Sequence, residues 1–219
     1  MITDIQAQIR SITLKLIESG LSIGHNFPKR DGSEITWEGY RNLSFVLKDE
    51  PYRILYDNVV AEKDYNIMFI DGSVIQLSYK FHKRDIAEHI LLYLPNPSDE
   101  KYVDSPEDFE ENNYGEKLFT ENSSENYVAF PIRFDYNMSS KIFKEITHPY
   151  SHATLGNYQN CRIPVISPIS PYRFIRFILT SFYSLKYNEL FEPTFLDCPI
   201  KIVPTITNRE RNFIHFGYS

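Results

Sequence analysis

The sequence contains few cysteines and no long apolar run. Its two cysteines, Cys161 and Cys198, do not have the spacing of a metal site, so we expect both to be reduced in a cytosolic protein. No stretch approaches the roughly 18–20 consecutive apolar residues that a membrane span requires. The N-terminus lacks the charged, apolar and small-residue pattern of a signal peptide. These absences predict a cytoplasmic location and no membrane partner.

The sequence motifs of several enzyme classes are missing as well. The chain contains no Walker A sequence, no glycine-rich dinucleotide loop, no Gly-x-Ser-x-Gly and no His-Glu-x-x-His. Nucleotide hydrolysis, serine-hydrolase chemistry and zinc-protease chemistry are therefore poor candidates. We expect neither a cofactor nor a metal site.

The composition is typical of a globular protein. Of 219 residues, 42% are hydrophobic and 15% aromatic, enough for one domain over residues 1–219 with a substantial core. The negative charge is concentrated, because ten acidic residues and only two lysines fall within residues 98–126. This segment has few apolar residues, so we expect a flexible acidic insertion, either solvated or acting as a flap against a partner. The rest of the chain is slightly basic, which weakly indicates an anionic partner.

Capping signals and apolar periodicity predict three helices. A capping box that begins at Thr3 is expected to start the first helix, and Gly20 to end it. Pro51 fits the first turn of the second helix. Ser170 and the proline after it start the third. Apolar residues, Phe177 among them, cover more than half of that helix's circumference, so we expect it to be buried at the centre of the domain.

Alternating and β-branched segments predict an antiparallel sheet. Asp71-Gly72 is expected to close a hairpin through a type I′ turn. Pro131 places its own strand at an edge or a bulge, because proline cannot donate to a ladder. The predicted fold is α+β, with about five to seven strands packed with the N-terminal helix and the central apolar helix. Residues 184–219 remain ambiguous. We expect strands at residues 66–70, 73–81, 86–94, 127–136, 153–155 and 162–163.

Four ionisable side chains lie within twenty residues of one another and are the candidate catalytic residues. Arg133 and Asp135 share one strand face because strands have a period of two. His148 and His152 follow them. Two imidazoles beside an arginine suit metal-independent phosphodiester cleavage, with one histidine as base, the other as acid and the arginine against the phosphorane charge.

The same histidines have two other interpretations. They could hold a tight turn through hydrogen bonds to the backbone. They could also bind a metal, although the proline after His148 disfavours the helix that would bring His152 onto the same face, and no third ligand stands at suitable spacing.

Three further arginines are candidate anion-binding residues. Arg162 lies in apolar company, where a cation needs a partner, either a carboxylate of the protein or a phosphate of a ligand. Arg173 and Arg176 form the polar strip of the third predicted helix, where a solvated stripe is the alternative interpretation.

Several phrases of the sequence resemble an uncharacterised bacterial family, domain of unknown function 2290. They are ITWEGY, DGSVIQLSY, FPIRFDY, HPYSHATLG, NCRIPVISPISPYRFIRFIL and SFY, which together cover most of the chain. This resemblance implies no established activity. The order of strands followed by a histidine cluster is more faintly similar to the TumE-like components of toxin–antitoxin pairs, whose usual closing His-x-His is missing here.

These observations leave two functions open. The first is a small cytosolic effector of a bacterial toxin–antitoxin or phage-defence system, a metal-independent nuclease that uses the His/Arg cluster. The second is a non-catalytic protein-interaction subunit of a multi-protein bacterial defence complex. Both imply a protein partner encoded nearby. A nucleic acid and a second copy of the chain are further candidate partners.

Overall fold

The computed structural model describes residues 1–41, 51–97, 129–156, 158, 160–184, 187–188 and 200–217. These ranges fold as α+β, with helices packed on an antiparallel sheet, and the predicted fold class is confirmed. The helices are α1 (Ile2–Glu18), α2 (Tyr52–Ala61), α3 (Pro171–Phe182) and α4 (Asn208–Arg211). The strands are β1 (Ser22–His25), β2 (Lys29–Asp31), β3 (Glu34–Thr36), β4 (Ile67–Phe69), β5 (Val74–His82), β6 (Asp85–Leu94), β7 (Ile132–Asn137), β8 (Ser151–Leu155) and β9 (Ile163–Pro164).

One open sheet contains all nine strands of the described ranges. Its main path runs β1-β4-β5-β6-β7-β8-β9, and every neighbouring pair on that path is antiparallel. β3 pairs with the far end of β5 and carries β2 on its other side. The expected meander of β4, β5 and β6 is confirmed. The sheet has more strands than the sequence predicts because β1 and β2 are too short to show a period, and β2 is wholly exposed.

The sheet buries one face beneath α1 and α3, which we call the helix face. From α1, a stripe of four residues from Ile5 to Leu16 enters the core, and from α3 Phe174, Ile175, Ile178 and Leu179 do so. They meet alternate residues of the strands, such as Leu77, Leu91 and Phe134. On the opposite face, α2 covers only the region around Val74, Leu92 and Leu94. The part of the opposite face formed by β7 and β8 instead carries polar side chains.

The two ends of α1 differ in how well the sequence predicts them. Gly20 follows the helix at φ +71°, as expected. The capping box at Thr3 is wrong, because the helix begins two residues earlier and has Met1 as its N-cap without a side-chain cap. The terminal amino group of Met1 instead pairs with Asp4 at 2.8 Å, which places a carboxylate in the first turn.

The β4–β5 hairpin forms where expected but with a different turn. A type I′ turn needs positive φ at both central residues, whereas only Gly72 has it, at φ +83°. The amide of Gly72 donates to the Phe69 carbonyl at 2.9 Å, and the Asp71 carboxylate accepts from the Ser73 amide at 2.9 Å. Asp71 therefore keeps an ordinary conformation as the acceptor of a side-chain turn, and the type I′ prediction is wrong.

Two further expectations, the edge or bulge position of β7 and the complete burial of α3, are wrong. β7 is an interior strand between β6 and β8, because Pro131 stands just before its first residue and removes no ladder donor. The start of α3 is confirmed, since the Ser170 hydroxyl accepts from the Arg173 amide at 3.3 Å and Pro171 is the first helical residue. Phe177, however, is 36% exposed, so the described residues cover α3 on one side only.

The predicted acidic insertion over residues 98–126 lies outside the described residues, as does Cys198. No helix in the described ranges has the length and apolar character that crossing a membrane demands.

Candidate functional site

The pairing of β7 with β8 brings the four candidate catalytic residues together. Asp135 lies directly opposite His152 in the ladder, and Arg133 lies two residues along the same strand face. The hairpin that precedes β8 adds His148. These side chains line a cavity of about 180 Å³, which we call the polar pocket. Its other lining residues include Glu88, Asn137, Tyr150 and Arg162.

Asp135 links the strand residues of the polar pocket. The Arg133 Nε donates to Asp135 Oδ2 at 2.7 Å, and His152 Nε2 lies 3.6 Å from the same oxygen. Both side chains of the Arg133–Asp135 pair are about one-fifth exposed, so solvent screens their attraction only in part. This pair places one positive and one negative group side by side on the wall of the polar pocket.

His152 is buried, with both ring nitrogens facing protein groups. It is 4% exposed, and its Nδ1 lies 3.1 Å from the Pro149 carbonyl oxygen, which can only accept. Nδ1 therefore carries a proton, whereas Nε2 lies 3.6 Å from the Asp135 carboxylate, too far for a hydrogen bond. Burial lowers the pKa of His152 to about 4, although the Asp135 carboxylate opposes the shift. His152 is consequently neutral at neutral pH.

His148 has a ring nitrogen that is not used within the described part of the chain. Its ring lies edge-on to that of His152, with the centroids 5.1 Å apart. The Nδ1 atom is buried and has no hydrogen-bond partner among the described residues other than the residue's own backbone. Burial, and then the nearby Arg162 guanidinium, lower the pKa of His148 below its ordinary value. A neutral imidazole at neutral pH can accept a proton.

Arg162 supplies a cation at the rim of the polar pocket. It stands just before β9 and is half-buried. Its Nη1 donates to the Thr147 carbonyl at 3.4 Å, and no carboxylate within the described residues lies close enough to form an ion pair with it. The sequence-based alternative, a carboxylate partner inside the protein, is therefore not found in this part of the chain.

The other two anion-binding candidates lie elsewhere. Arg173 and Arg176 project from α3 on the helix face and line a different cavity, of about 390 Å³, whose walls are mostly apolar and include Phe134 and Phe174. The sheet separates this cavity from the polar pocket. The structure thus brings Arg162 to the histidines and leaves the α3 arginines on the other side.

Sequence reasoning missed His89, the other buried histidine of the described residues. It is 1% exposed on the helix face, and burial lowers its pKa to about 3. Its Nε2 accepts the Ile169 amide at 3.0 Å, while the Tyr79 hydroxyl donates to the Ile169 carbonyl at 3.0 Å. His89 therefore fixes the segment that leads into α3. The alternation along β6 could have placed His89 on that face.

The described residues contain no group of three or more His, Cys, Asp or Glu side chains that could hold a metal ion. The prediction that the polar pocket works without a metal remains a prediction.

Comparison with known proteins gives one result. No curated protein and no solved structure matches this chain, and the TumE-like likeness is not shown. A family model with the description "Uncharacterized conserved protein (DUF2290)" matches residues 21–218. That match covers β1, every strand after it and the whole polar pocket, and it agrees with the resemblance seen in the sequence. The chain therefore belongs to the DUF2290 family.

Proposed function

We propose that this protein is a small cytosolic effector of the toxin–antitoxin or phage-defence kind, and that it cleaves RNA at the polar pocket without a metal ion. The proposal rests on two side chains of the polar pocket that lie beside each other. Arg162 is a half-buried cation without a carboxylate partner in the described residues, and beside it lies the half-buried ring of His148, which forms no hydrogen bond to any other described residue.

Arg162 favours a phosphate as the ligand of the polar pocket. Because it has no carboxylate partner among the described residues, its guanidinium can meet an anionic ligand without first breaking an ion pair. A phosphodiester offers two oxygens to the planar fork of an arginine, which is the geometry that arginine binds best. The cavity of about 180 Å³ is small, so it would take one phosphate group with the atoms next to it and leave the rest of the strand outside.

His148 is the proposed general base. Because its pKa is lowered, its ring is neutral and able to accept a proton at neutral pH. In RNA the 2′-hydroxyl gives up its proton to His148, and its oxygen forms a bond to phosphorus while the bond from phosphorus to the 5′-oxygen breaks. The leaving 5′-oxygen takes a proton from water. The products are a 2′,3′-cyclic phosphate and a 5′-hydroxyl, and no oxidant or cofactor is consumed.

His152 has a positioning role in this scheme, as do Arg133 and Asp135. A histidine with a pKa of about 4 is neutral at neutral pH and lacks the second, acidic proton that a general acid gives up, and both of its nitrogens face protein groups. The proposal therefore uses one histidine as base and does not require the second as acid. Packed edge-on against His148, the His152 ring sets the direction in which His148 faces.

The test compares three strands of the same sequence in excess EDTA: RNA, DNA and 2′-O-methyl RNA. We expect the purified protein to cleave only RNA and to leave a cyclic phosphate. Arg162→Ala should slow cleavage about 100–1000-fold, because the developing charge on phosphorus loses its cation. Arg84→Ala, at an exposed turn between β5 and β6, is the matched control and should cleave normally. Cleavage of all three strands, or of none, would contradict the proposal.

The second candidate function, a non-catalytic subunit, has its own supporting observation. The C-terminal segment exposes large apolar side chains, with Val203 78% and Ile214 87% accessible. Such side chains mark a contact with another protein where they lie together in one patch. Replacing both residues by aspartate should release a protein encoded by the adjacent gene from a co-purified complex. His148→Ala should leave that complex intact.

A further inference from the structure

The hairpin that carries His148 contains an unusual turn. The Thr147 amide donates to the Glu145 carbonyl at 2.9 Å, and Ile146 between them has φ +71°. This is a γ-turn of the rare kind with positive φ at its centre. A β-branched residue in that conformation is strained and persists only where its surroundings hold it. The turn is closed by paired hydrogen bonds between Lys144 and His148, at 3.0 and 2.7 Å.

A buried carboxylate from the C-terminal segment holds this turn. Glu210 in α4 is 1% exposed, and its Oε1 accepts the amide of Ile146 at 3.3 Å. Its Oε2 accepts the amide of Thr207 at 2.8 Å, and the Thr207 hydroxyl accepts the Glu210 amide at 3.2 Å. These two bonds form a capping box that fixes the Glu210 side chain. The amide of the strained residue, Ile146, is thus bound by a carboxylate whose position the capping box fixes.

The same segment binds the turn a second time. The Thr207 hydroxyl donates to Glu145 Oε1 at 2.7 Å, and Arg209 Nη1 lies 3.6 Å from Glu145 Oε2. The Arg209 pair is largely exposed, so its contribution is small. The hydroxyl bond therefore supplies most of this second contact.

The C-terminal segment also binds the chain just after Arg162. The Thr205 amide donates to the Ile166 carbonyl, the Ile166 amide donates to the Phe216 carbonyl, and the Phe216 amide donates to the Pro164 carbonyl, each at 2.9 Å. The C-terminal segment is thus hydrogen-bonded to two parts of the chain, the hairpin that carries His148 and the strand that follows Arg162. Both parts bring candidate groups to the polar pocket from outside β7 and β8.

We propose that residues 205–216 form a clasp that assembles the polar pocket, and that Glu210 is the positioning residue that keeps His148 facing Arg162. Any effect of Glu210 on RNA cleavage rests on the proposed function. Its effect on the position of His148 does not. If Glu210 is removed, the Ile146 turn relaxes to an unstrained conformation and the His148 ring leaves its half-buried place beside His152.

The experiment measures the imidazole titrations of the full-length protein by NMR. In Glu210→Ala we expect the pKa of His148 to rise toward the ordinary value of about 6.5, because the ring becomes solvated. The pKa of His89, on the helix face, should stay where it is. Arg211→Ala, an exposed change at the end of the same helix, should alter neither. An unchanged His148 titration in folded Glu210→Ala would overturn the clasp.

A rescue variant separates positioning from plain stability. Glycine adopts positive φ without strain, so Ile146→Gly should keep the turn without the help of Glu210. We expect the double variant Glu210→Ala with Ile146→Gly to regain the wild-type His148 titration, and to fold even if Glu210→Ala alone does not. A double variant that behaves like Glu210→Ala would also overturn the clasp.

The same variants distinguish this inference from the proposed function. If the wild type cleaves RNA, Glu210→Ala should lose at least about 10-fold in rate and the double variant should recover most of it. If the wild type cleaves nothing, the proposed function fails, and the titrations still decide whether Glu210 positions His148.

Discussion

Each face of the sheet buries a histidine near the middle of the fold, and the two are surrounded differently. His89, on the helix face, accepts the amide of Ile169 and lies against the rings of Tyr79 and Tyr136. His152, on the opposite face, borders a cavity together with Asp135 and a second histidine. Burial lowers the pKa of both. His89 also lines this cavity, and its Nδ1 has no partner among the described residues. The difference lies in the neighbours, because charged groups, Asp135 and Arg133, stand beside His152 and two tyrosine rings beside His89.

The largest effect that we expect is a difference in stability between a buried and an exposed phenylalanine of α3. Phe174 is 1% exposed and Phe177 is 36% exposed, although both contact Phe134. Phe174→Ala should lower the free energy of unfolding by about 3–5 kcal/mol, since it opens a cavity in the core. Phe177→Ala should cost less than about 1.5 kcal/mol, because water can fill the space. Urea unfolding of both variants checks this, and equal losses would mean that a partner or another part of the chain covers Phe177.

The two buried histidines should also make the protein sensitive to mild acid. Their folded-state pKa values, about 3 for His89 and about 4 for His152, lie below the unfolded-state value of about 6.5. The unfolded chain therefore binds protons that the folded chain does not. Each histidine should lower the free energy of unfolding by about 1.6 kcal/mol as the pH falls from 6.5 to 5, and by only about 0.4 kcal/mol above pH 6.5.

Urea unfolding at pH 7, 6 and 5 measures this loss. His89→Gln keeps an acceptor for the Ile169 amide and should remove about half of the pH dependence. His82→Ala, an exposed change at the end of β5, should leave it as it is. A wild type equally stable at pH 5 and pH 6.5 would show that neither histidine is kept neutral by burial.

The smallest expected difference concerns two hydroxyls on β8 that face opposite sides of the sheet. On the helix face, the Ser151 hydroxyl donates to the Ser167 carbonyl at 3.0 Å. On the opposite face, the Thr154 hydroxyl is buried without a partner among the described residues. Ser151→Ala should cost about 1 kcal/mol, and Thr154→Val should be neutral or stabilising by up to about 1 kcal/mol. If Thr154→Val destabilised by the same amount as Ser151→Ala, the Thr154 hydroxyl would have a partner.

The sequence predicts the elements with strong local signals. The apolar stripe of α1, the serine and proline before α3, and the alternation in β5 and β6 depend on neighbours within a few residues. The same alternation placed Arg133 and Asp135 on one face. The turn at Asp71-Gly72 was predicted in the right place with the wrong type, because the Asp71 carboxylate binds the Ser73 amide and the Tyr183 hydroxyl from 112 residues away.

The rest of the site depends on contacts between distant parts of the chain. Glu210 reaches Ile146 across 64 residues, and no local pattern marks either as a partner of the other. A positive φ at isoleucine is also the reverse of what its side chain prefers. Similarly, the separation of Arg162 from the α3 arginines follows from the order of β8, β9 and α3 in the sheet and on its face. Sequence periodicity gives the face of a residue within one element but does not say which elements meet.

The most direct test of the account is single-turnover cleavage of RNA by His148→Ala, with the thermal melting temperature recorded on the same sample. We expect the rate to fall at least about 100-fold, because the 2′-hydroxyl loses its base. The melting temperature should stay close to that of the wild type, because the Nδ1 of His148 binds no other described residue. His82→Ala is the matched control and should retain both properties. Undiminished cleavage by well-folded His148→Ala would contradict the assignment of the polar pocket as a catalytic site.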